Sequence, residues 1–304
     1  MSLDLDTILD RRKLKRQLAL WRTVAILAGL AAVVVAIARF GGLDREDHVA
    51  ELHIRGLIVD DPGLRATLKA VAEDDTARAL IVHIDSPGGT TVGGEALYMA
   101  LRGLAERKPV VAVIGTLGAS AGYLVALAAD HIVGRGSSLT GSIGVLLQTA
   151  EVSALLDNLG VRTEVIRSAP LKGQPSPLEP MSEAARASSQ AVVDDVYDWF
   201  VGVVAARRGM SVAQARGLAD GRVFTGRQAL SVNLIDEIGG PPAARSWLEA
   251  ERGVSRELPG RDLGSEEAGK TILRRMLGLA EKTLLSERLM LDGLVSVWHF
   301  GGLR

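Results

Sequence analysis

The chain has 304 residues, 47% of them hydrophobic and 23% charged, with a formal net charge of −1. That is enough sequence for a large core, and the balanced charge offers no basic surface for nucleic acid. Aromatic residues make up only 4%, too few for base-stacking platforms, and the absence of cysteine excludes thiol catalysis, disulfides and cysteine metal sites.

The N-terminal 1–22 is basic, with Arg11, Arg12, Lys13, Lys15, Arg16 and Arg22. Residues 23–38 are 16 consecutive uncharged, mostly aliphatic positions bracketed by Arg22 and Arg39. As a helix they would span about 24 Å, which flanking arginines extend by snorkelling. The excess of basic residues before the span predicts a cytoplasmic N-terminus, with everything after about residue 40 on the other side of the membrane. The alternative is a cleaved leader, because Ala36-Ile37-Ala38 has the small-residue pattern of a cleavage site. Residues 39–48 read as a juxtamembrane linker.

From residue 49 to 252 strand-like and helix-like segments alternate. His48–Val59 reads as extended, Pro62–Glu73 as a helix with proline in its first turn, and Ala79–Asp85 as a buried strand ending at a Ser86-Pro87-Gly88-Gly89 turn. A helix is expected over Gly94–Glu106, a strand over Val110–Ile114, a helix over Ser120–Ala129, and a short strand around Ile132. Further on come a helix near Ser153–Leu159, a strand over Val161–Ile166, a proline-rich loop over 169–180, a long helix over Ser182–Arg208, and a turn, short helix and strand within Gly221–Gly240. This βαβα order implies an α/β fold with a largely parallel sheet, whose ligands bind beyond the carboxyl ends of the strands. Residues 253–304 read as a polar, glycine-rich linker followed by an amphipathic tail, with Ile272, Leu273, Met276, Leu277, Ala280, Leu284 and Leu285 at helical spacing.

Two residues stand out chemically. Ser120 lies in Gly118-Ala119-Ser120-Ala121-Gly122, which has the G-x-S-x-G form of a nucleophile elbow. Taken alone, the run is equally compatible with tight packing of a helix on a strand. Lys172 is the only lysine between Lys108 and Lys270, in a chain with seven lysines and 28 arginines. Where a simple cation is needed this chain uses arginine, so an isolated lysine suggests a group that must give up its proton, which burial favours. The histidines (His48, His53, His83, His131 and His299) are poorly placed for a Ser–His–acid triad, so Lys172 answers better as general base. An acyl transfer also needs oxyanion donors. The N–H of Ala121, at a helix start, is one, and that of Gly89 is the other, because glycine lets a carbonyl approach closely. No metal or cofactor is expected.

These segments carry a resemblance. Asp85-Ser86-Pro87-Gly88-Gly89, Ala119-Ser120-Ala121-Gly122-Tyr123, Leu139-Thr140-Gly141-Ser142-Ile143-Gly144-Val145, Arg167-Ser168 through Lys172 to Ser176-Pro177, and Gly221-Arg222-Val223-Phe224-Thr225-Gly226 with Asp236-Glu237-Ile238-Gly239-Gly240 together resemble the signal peptide peptidase A (protease IV) family, in its short single-repeat form. The resemblance covers roughly residues 49–250 and implies a Clp/crotonase-like fold and a Ser/Lys dyad. By position it implies Ser120 as nucleophile, Lys172 as general base, Ser142 as the residue orienting that base, and Gly89 and Ala121 as oxyanion donors. It further implies peptide substrates, chiefly cleaved signal peptides, and a dome-like homo-oligomer in which serine and lysine come from neighbouring subunits. Ala121 departs from the usual glycine, and Arg167 and Ala169 stand where lysine and glycine are common. The rival readings are a crotonase-type acyl-CoA enzyme, a catalytically dead scaffold, and an esterase pairing Ser120 with His299.

Overall fold

The computed structural model describes residues 17–18, 20–30, 46–264 and 295–297, in two units, Met1–Glu46 and Asp47–Arg304. In the first unit residues 20–30 form a helix, α1. Its Leu20, Trp21, Ile26, Leu27 and Leu30 are all more than half exposed. Residues 31–38 of the expected span lie outside the described residues. Among the described residues no helix is long and apolar enough to cross a membrane.

The second unit opens with β1 (His48–Ile58), α2 (Pro62–Glu73), β2 (Ala77–Thr90), α3 (Thr91–Ala105), β3 (Val110–Ala119), α4 (Ala121–Ala126), β4 (His131–Gly134) and β5 (Leu139–Gly141). It continues with α5 (Ser153–Asn158), α6 (Glu183–Arg208), α7 (Val212–Leu218), β6 (Val223–Thr225), α8 (Gly226–Ser231), β7 (Glu237–Ile238), α9 (Pro241–Arg252), β8 (Gly260–Asp262) and β9 (Val295–Val297). The sheet runs β6-β5-β3-β2-β1-β8, with β4 on the first half of β3 and β5 on its second half. Its pairs are parallel except β5 with β6 and β2 with β9.

Why these residues form this sheet follows from alternation. Leu80, Val82 and Ile84 of β2, with Val110, Ala112 and Ile114 of β3, face a core built with α2, α3, α4 and α6. The intervening Ala79, Ile81, Val111 and Val113 face Ala244 and Leu248 of α9. Strands buried on both faces read as continuous apolar runs, as parallel strands do. The helix starts are capped as the sequence suggests. The Asp61 carboxylate accepts from the N–H groups of Gly63 and Leu64 ahead of α2, and Ser182 Oγ accepts from Ala185 N–H ahead of α6.

Three expectations differ from the structure. Ser86-Pro87-Gly88-Gly89 is not a turn but the extended end of β2, with Gly88 at φ 118°. Residues 161–166 form no strand. All six are exposed and no neighbouring edge pairs with them, so β-branched composition alone has nothing to bond to. Residues 253–264, expected as linker, in part complete the sheet. Val254 is buried against α9, and β8 pairs in parallel with Val49–Glu51. Arg245 Nη1 donates to Leu258 O at 2.7 Å and steadies that return. The amphipathic positions 272–285 lie outside the described residues.

Candidate active site

The site is set where β2 and β3 part. Ile84 pairs with Ile114, yet the next pair is Ser86 with Gly118, so three residues of β3 face the single Asp85. Such a bulge would orphan ladder N–H groups. Asp85 Oδ1 accepts two of them, from Thr116 at 3.2 Å and Leu117 at 3.1 Å. Past the bulge β3 bends away to pair Leu117–Ala119 with Leu139–Gly141 of β5, and Thr140 Oγ1 donates to Gly118 O at 2.7 Å. Ser86, fully buried, accepts the Gly88 N–H on its Oγ at 3.1 Å and holds the end of β2 extended. Asp85, Ser86 and Thr140 are positioning residues whose roles the sequence reading did not assign. A polar residue embedded at the end of an apolar strand was the available signal.

Ser120 follows directly. It is 1% exposed, at φ 55° and ψ −120°, a backbone conformation that costs a non-glycine residue about 1–3 kcal/mol. Its N–H donates to Gly141 O at 2.8 Å, and its carbonyl accepts from Leu124 N–H at 2.9 Å, opening α4. The sharp strand-to-helix turn is the geometry of a nucleophile elbow. α4 is held from behind. Tyr123, fully buried, donates its hydroxyl to Leu234 O at 2.8 Å, while Arg102 and Arg207 donate to the carbonyls of Ala128, Leu127 and Ala129 just beyond the helix.

Ser142 comes next on the neighbouring strand. It leaves β5 at φ 48°, is 8% exposed, and donates its N–H to Arg222 O at 2.8 Å. Since Ala119 pairs with Gly141, Ser120 and Ser142 exit adjacent strands side by side. Gly89 pairs with Ile58 of β1 at the matching end of β2. A methyl at Gly89 would fall 1.8 Å from Ile58 O, so no side chain fits there. Ala121, the departure from glycine, is absorbed by its surroundings: its methyl sits 3.0 Å from where a Cβ on Gly94 would be, filling the space Gly94 leaves.

The structure thus brings Ser120, Ala121, Ser142 and Gly89 to one end of the sheet. Lys172 it places elsewhere, exposed on a loop between α5 and α6, with its N–H donated to Ala169 O at 3.0 Å. From Gly144 to Ala184 no residue is buried. The apolar side chains of Leu155, Leu159, Val161, Val165, Ile166 and Leu171 all face outward, Ile166 at 93% exposure. This arm is tied within itself, by Val152 N–H to Pro177 O at 2.8 Å, Arg167 to Glu179, and Gln174 Nε2 to Glu179 Oε1 at 2.7 Å.

The described histidines lie away from Ser120, His48 and His131 at the starts of β1 and β4 and His53 and His83 midway along β1 and β2. His131 pairs with Val111, nine residues before Ser120, which is roughly 30 Å at strand rise. His83 pairs with His53 and Val113, and His48 begins β1. His299 lies outside the described residues. Glu51, His53 and His83 do gather, with ligand-capable atoms within 4.8 Å of one another, but Arg245 Nη2 already donates to Glu51 Oε1 at 2.6 Å and His83 Nε2 lies 3.2 Å from Glu51 Oε2. Burial pushes the His83 imidazole below its ordinary value, the neighbouring His53 adds to this, and Glu51 opposes it. A histidine depressed in the folded state contributes stability that is complete above about pH 6.5 and is lost as pH falls. His83→Gln should therefore lose less Tm than the parent between pH 7.5 and 5.5. Parallel Tm losses in thermal melts of the two proteins would show that His83 contributes nothing to the acid limb.

Residues 102–255 match the family model for peptidase family S49. Over 232 residues the chain is 37% identical to slr0021 of Synechocystis sp., a protease by its designation, covering 76% of this chain and 83% of that one. The chain belongs to peptidase family S49. This S49 member is a serine-type peptidase, and Ser120, Ser142 and Lys172 all fall within the matched residues. It is also 32% identical over 186 residues to an Enterococcus faecium protein designated as signal peptide peptidase SppA, covering 61% of this chain and 54% of that one. With the chloroplastic serine protease SPPA of Arabidopsis thaliana it shares 36% identity over 178 residues, 57% of this chain and 26% of that one. The chain therefore spans about half and a quarter of those two relatives. Among solved structures, a membrane-bound stomatin-specific protease aligns over 71% of this chain and 97% of that one, at 15% identity and a TM-score of 0.47.

Proposed function

We propose that this S49 peptidase is a Ser/Lys endopeptidase of Clp/crotonase-like fold that degrades remnant signal peptides and other unfolded segments. In this reading residues 23–38 anchor it in the inner membrane, with the catalytic domain in the periplasm. Ser120 Oγ attacks the scissile carbonyl as neutral Lys172 takes its proton. The N–H groups of Gly89 and Ala121 hold the oxyanion, the amine product leaves with the proton from Lys172, and water activated by the same lysine hydrolyses the acyl-enzyme. Ser142 orients the lysine. The substrate binds extended along the edge of β2, because a peptidase of broad specificity must grip backbone rather than side chains.

The observation that carries this reading is the strained, buried Ser120 at the meeting of the strand ends, since such strain persists only where the surroundings enforce it. An exposed lysine is a poor base in water. The outward apolar residues of its arm fit a second copy of the chain, whose packing would desolvate Lys172 and deliver it to the neighbour's Ser120.

The test is complementation. Full-length Ser120→Ala and Lys172→Ala, each alone, should be inactive on a fluorogenic apolar peptide. Co-expressed, they should recover up to about a quarter of the wild-type rate, because some mixed interfaces pair an intact serine with an intact lysine. Activity surviving Lys172→Ala would remove the lysine from the mechanism, and inactive mixtures would place both groups within one subunit.

A further inference from the structure

Away from Ser120, four side chains able to ligate a metal meet on the face of the sheet that packs against α9. Strand register puts them there. Glu51 and His53 are two apart on β1, so they share a face with Val49, which packs against α9. His83 of β2 lies opposite His53, and Asp262 of β8 lies opposite Glu51. The rings of His53 and His83 stack with centroids 4.5 Å apart. His83 Nε2 lies 3.2 Å from Glu51 Oε2, and His53 Nε2 lies 4.0 Å from Asp262 Oδ2. Glu51, His53 and His83 each bring one ligand-capable atom within 4.8 Å of the other two.

We propose that Glu51, His53, His83 and Asp262 bind one divalent cation of the zinc class, a structural clasp that ties β8 to β1 and β2. Two imidazoles and two carboxylates suit zinc and supply the four ligands of a closed tetrahedral site. Bonds of about 2.0–2.1 Å put the ligand atoms of such a site roughly 3.3 Å apart. Glu51 and His83 already have that spacing, and His53 closes by about 1.5 Å at most, a matter of side-chain rotation. Both carboxylates are held from outside. Arg245 Nη2 donates to Glu51 Oε1 at 2.6 Å and Gly264 N–H donates to Asp262 Oδ1 at 2.8 Å, while Oε2 and Oδ2 face the histidines. Outer partners of this kind orient metal ligands. Arg245 therefore leaves Glu51 one oxygen to give, and the Glu51–His83 contact is what the ion exchanges for two stronger bonds. A cavity of about 190 Å³, whose walls include His53, Arg55, His83, Asp85 and Arg135, opens on the two imidazoles and gives the ion a way in. The clasp also has something to hold. β8 has three residues, all exposed, at the end of the sheet, so its pairing with β1 gains most from a cross-link through Asp262.

The test uses the full chain, stripped with a chelator and titrated with Zn²⁺ against a chromophoric competitor, then with Co²⁺. One Zn²⁺ should bind per chain with a Kd in the micromolar range or tighter, and Co²⁺ should give the visible bands of a tetrahedral site. Zinc at a hundredfold excess over Kd should raise Tm by about 5–10 °C. His53→Gln and Asp262→Asn should each weaken binding at least about tenfold, since the loss of even an outer-shell partner costs that much. The Asp262 side chain is half exposed, so its variant keeps the test open even where His53→Gln fails to fold. His131→Gln, which removes a histidine set between Asp236 and Glu237 at the start of β4, should bind zinc as the parent does. Binding no tighter than millimolar overturns the proposal. So does full affinity retained by a folded His53→Gln or by Asp262→Asn, or affinity lost in His131→Gln, because each places the ion elsewhere. None of these readings involves peptide cleavage, so the outcome is separate from the assignment of Ser120.

Discussion

Replacing Ser120 by alanine should lower kcat/KM for peptide hydrolysis by at least about three orders of magnitude and leave the fold in place. The substitution removes only Oγ. The backbone bonds that shape the elbow, Ser120 N–H to Gly141 O and Leu124 N–H to Ser120 O, remain. Alanine carries the same φ penalty as serine, so Tm should move little. Ser120→Gly separates strain from chemistry. It should be equally inactive, yet more stable than Ser120→Ala by about 1 kcal/mol, because glycine enters positive φ without the Cβ clash while gaining some freedom in the unfolded chain. Parallel thermal melts and progress curves decide this. A Ser120→Ala protein that still turns over peptide would end the assignment of the nucleophile, and a Ser120→Gly melt no higher than that of Ser120→Ala would show that the elbow stores no strain.

Gly89→Ala should damage both stability and activity. The added methyl would sit 1.8 Å from Ile58 O and 2.5 Å from its carbon, both backbone atoms of a paired strand, so β1 and β2 must separate locally. Overpacking against a backbone that cannot yield costs about 3 kcal/mol or more. The same shift moves the Gly89 N–H away from the oxyanion position we propose for it, and on that proposal turnover falls about 100-fold even where the protein still folds. Gly103→Ala is the matched control. It lies exposed within α3 with nothing within 4 Å of its added methyl, so it should stabilise by about 0.5–1 kcal/mol and leave turnover unchanged. Urea titrations of the two variants give the comparison, and a Gly89→Ala protein as stable as wild type would mean that the strand ends are looser than the structure shows.

Much of this architecture was legible because it is local. α2 runs over Pro62–Glu73, as its proline and apolar spacing indicate, and α6 over Glu183–Arg208 begins at the Ser182 cap. The continuous apolar run in β2 announced a strand buried on two faces. What misled was composition without a partner. Val161–Ile166 has the residues of a strand and no edge to join, while Gly260–Asp262 has little strand character yet pairs because β1 offers an open edge. The extended Ser86-Pro87-Gly88-Gly89 was unreadable for a related reason. Its glycines and proline signal a turn, and tertiary pairing with β1 and β9, together with the Ser86 hydroxyl, keeps it straight.

The candidate site divides along the same line. By itself the sequence determined the residue types, namely a serine in a small-residue elbow, a lone lysine in an arginine-rich chain, and glycines where a backbone must come close. These are matters of chemistry and local spacing, which one chain segment can express. The tertiary structure alone decided that Ser120 is strained and buried, that Ser142 and Gly89 converge on it through strand register, and that Asp85 pays for the bulge parting β2 from β3. It also left Lys172 on an exposed arm and put β9 on the edge of β2 at Gly88–Thr90. Register and edge availability depend on which strands meet, and those contacts join residues far apart in the chain, beyond the reach of any local pattern.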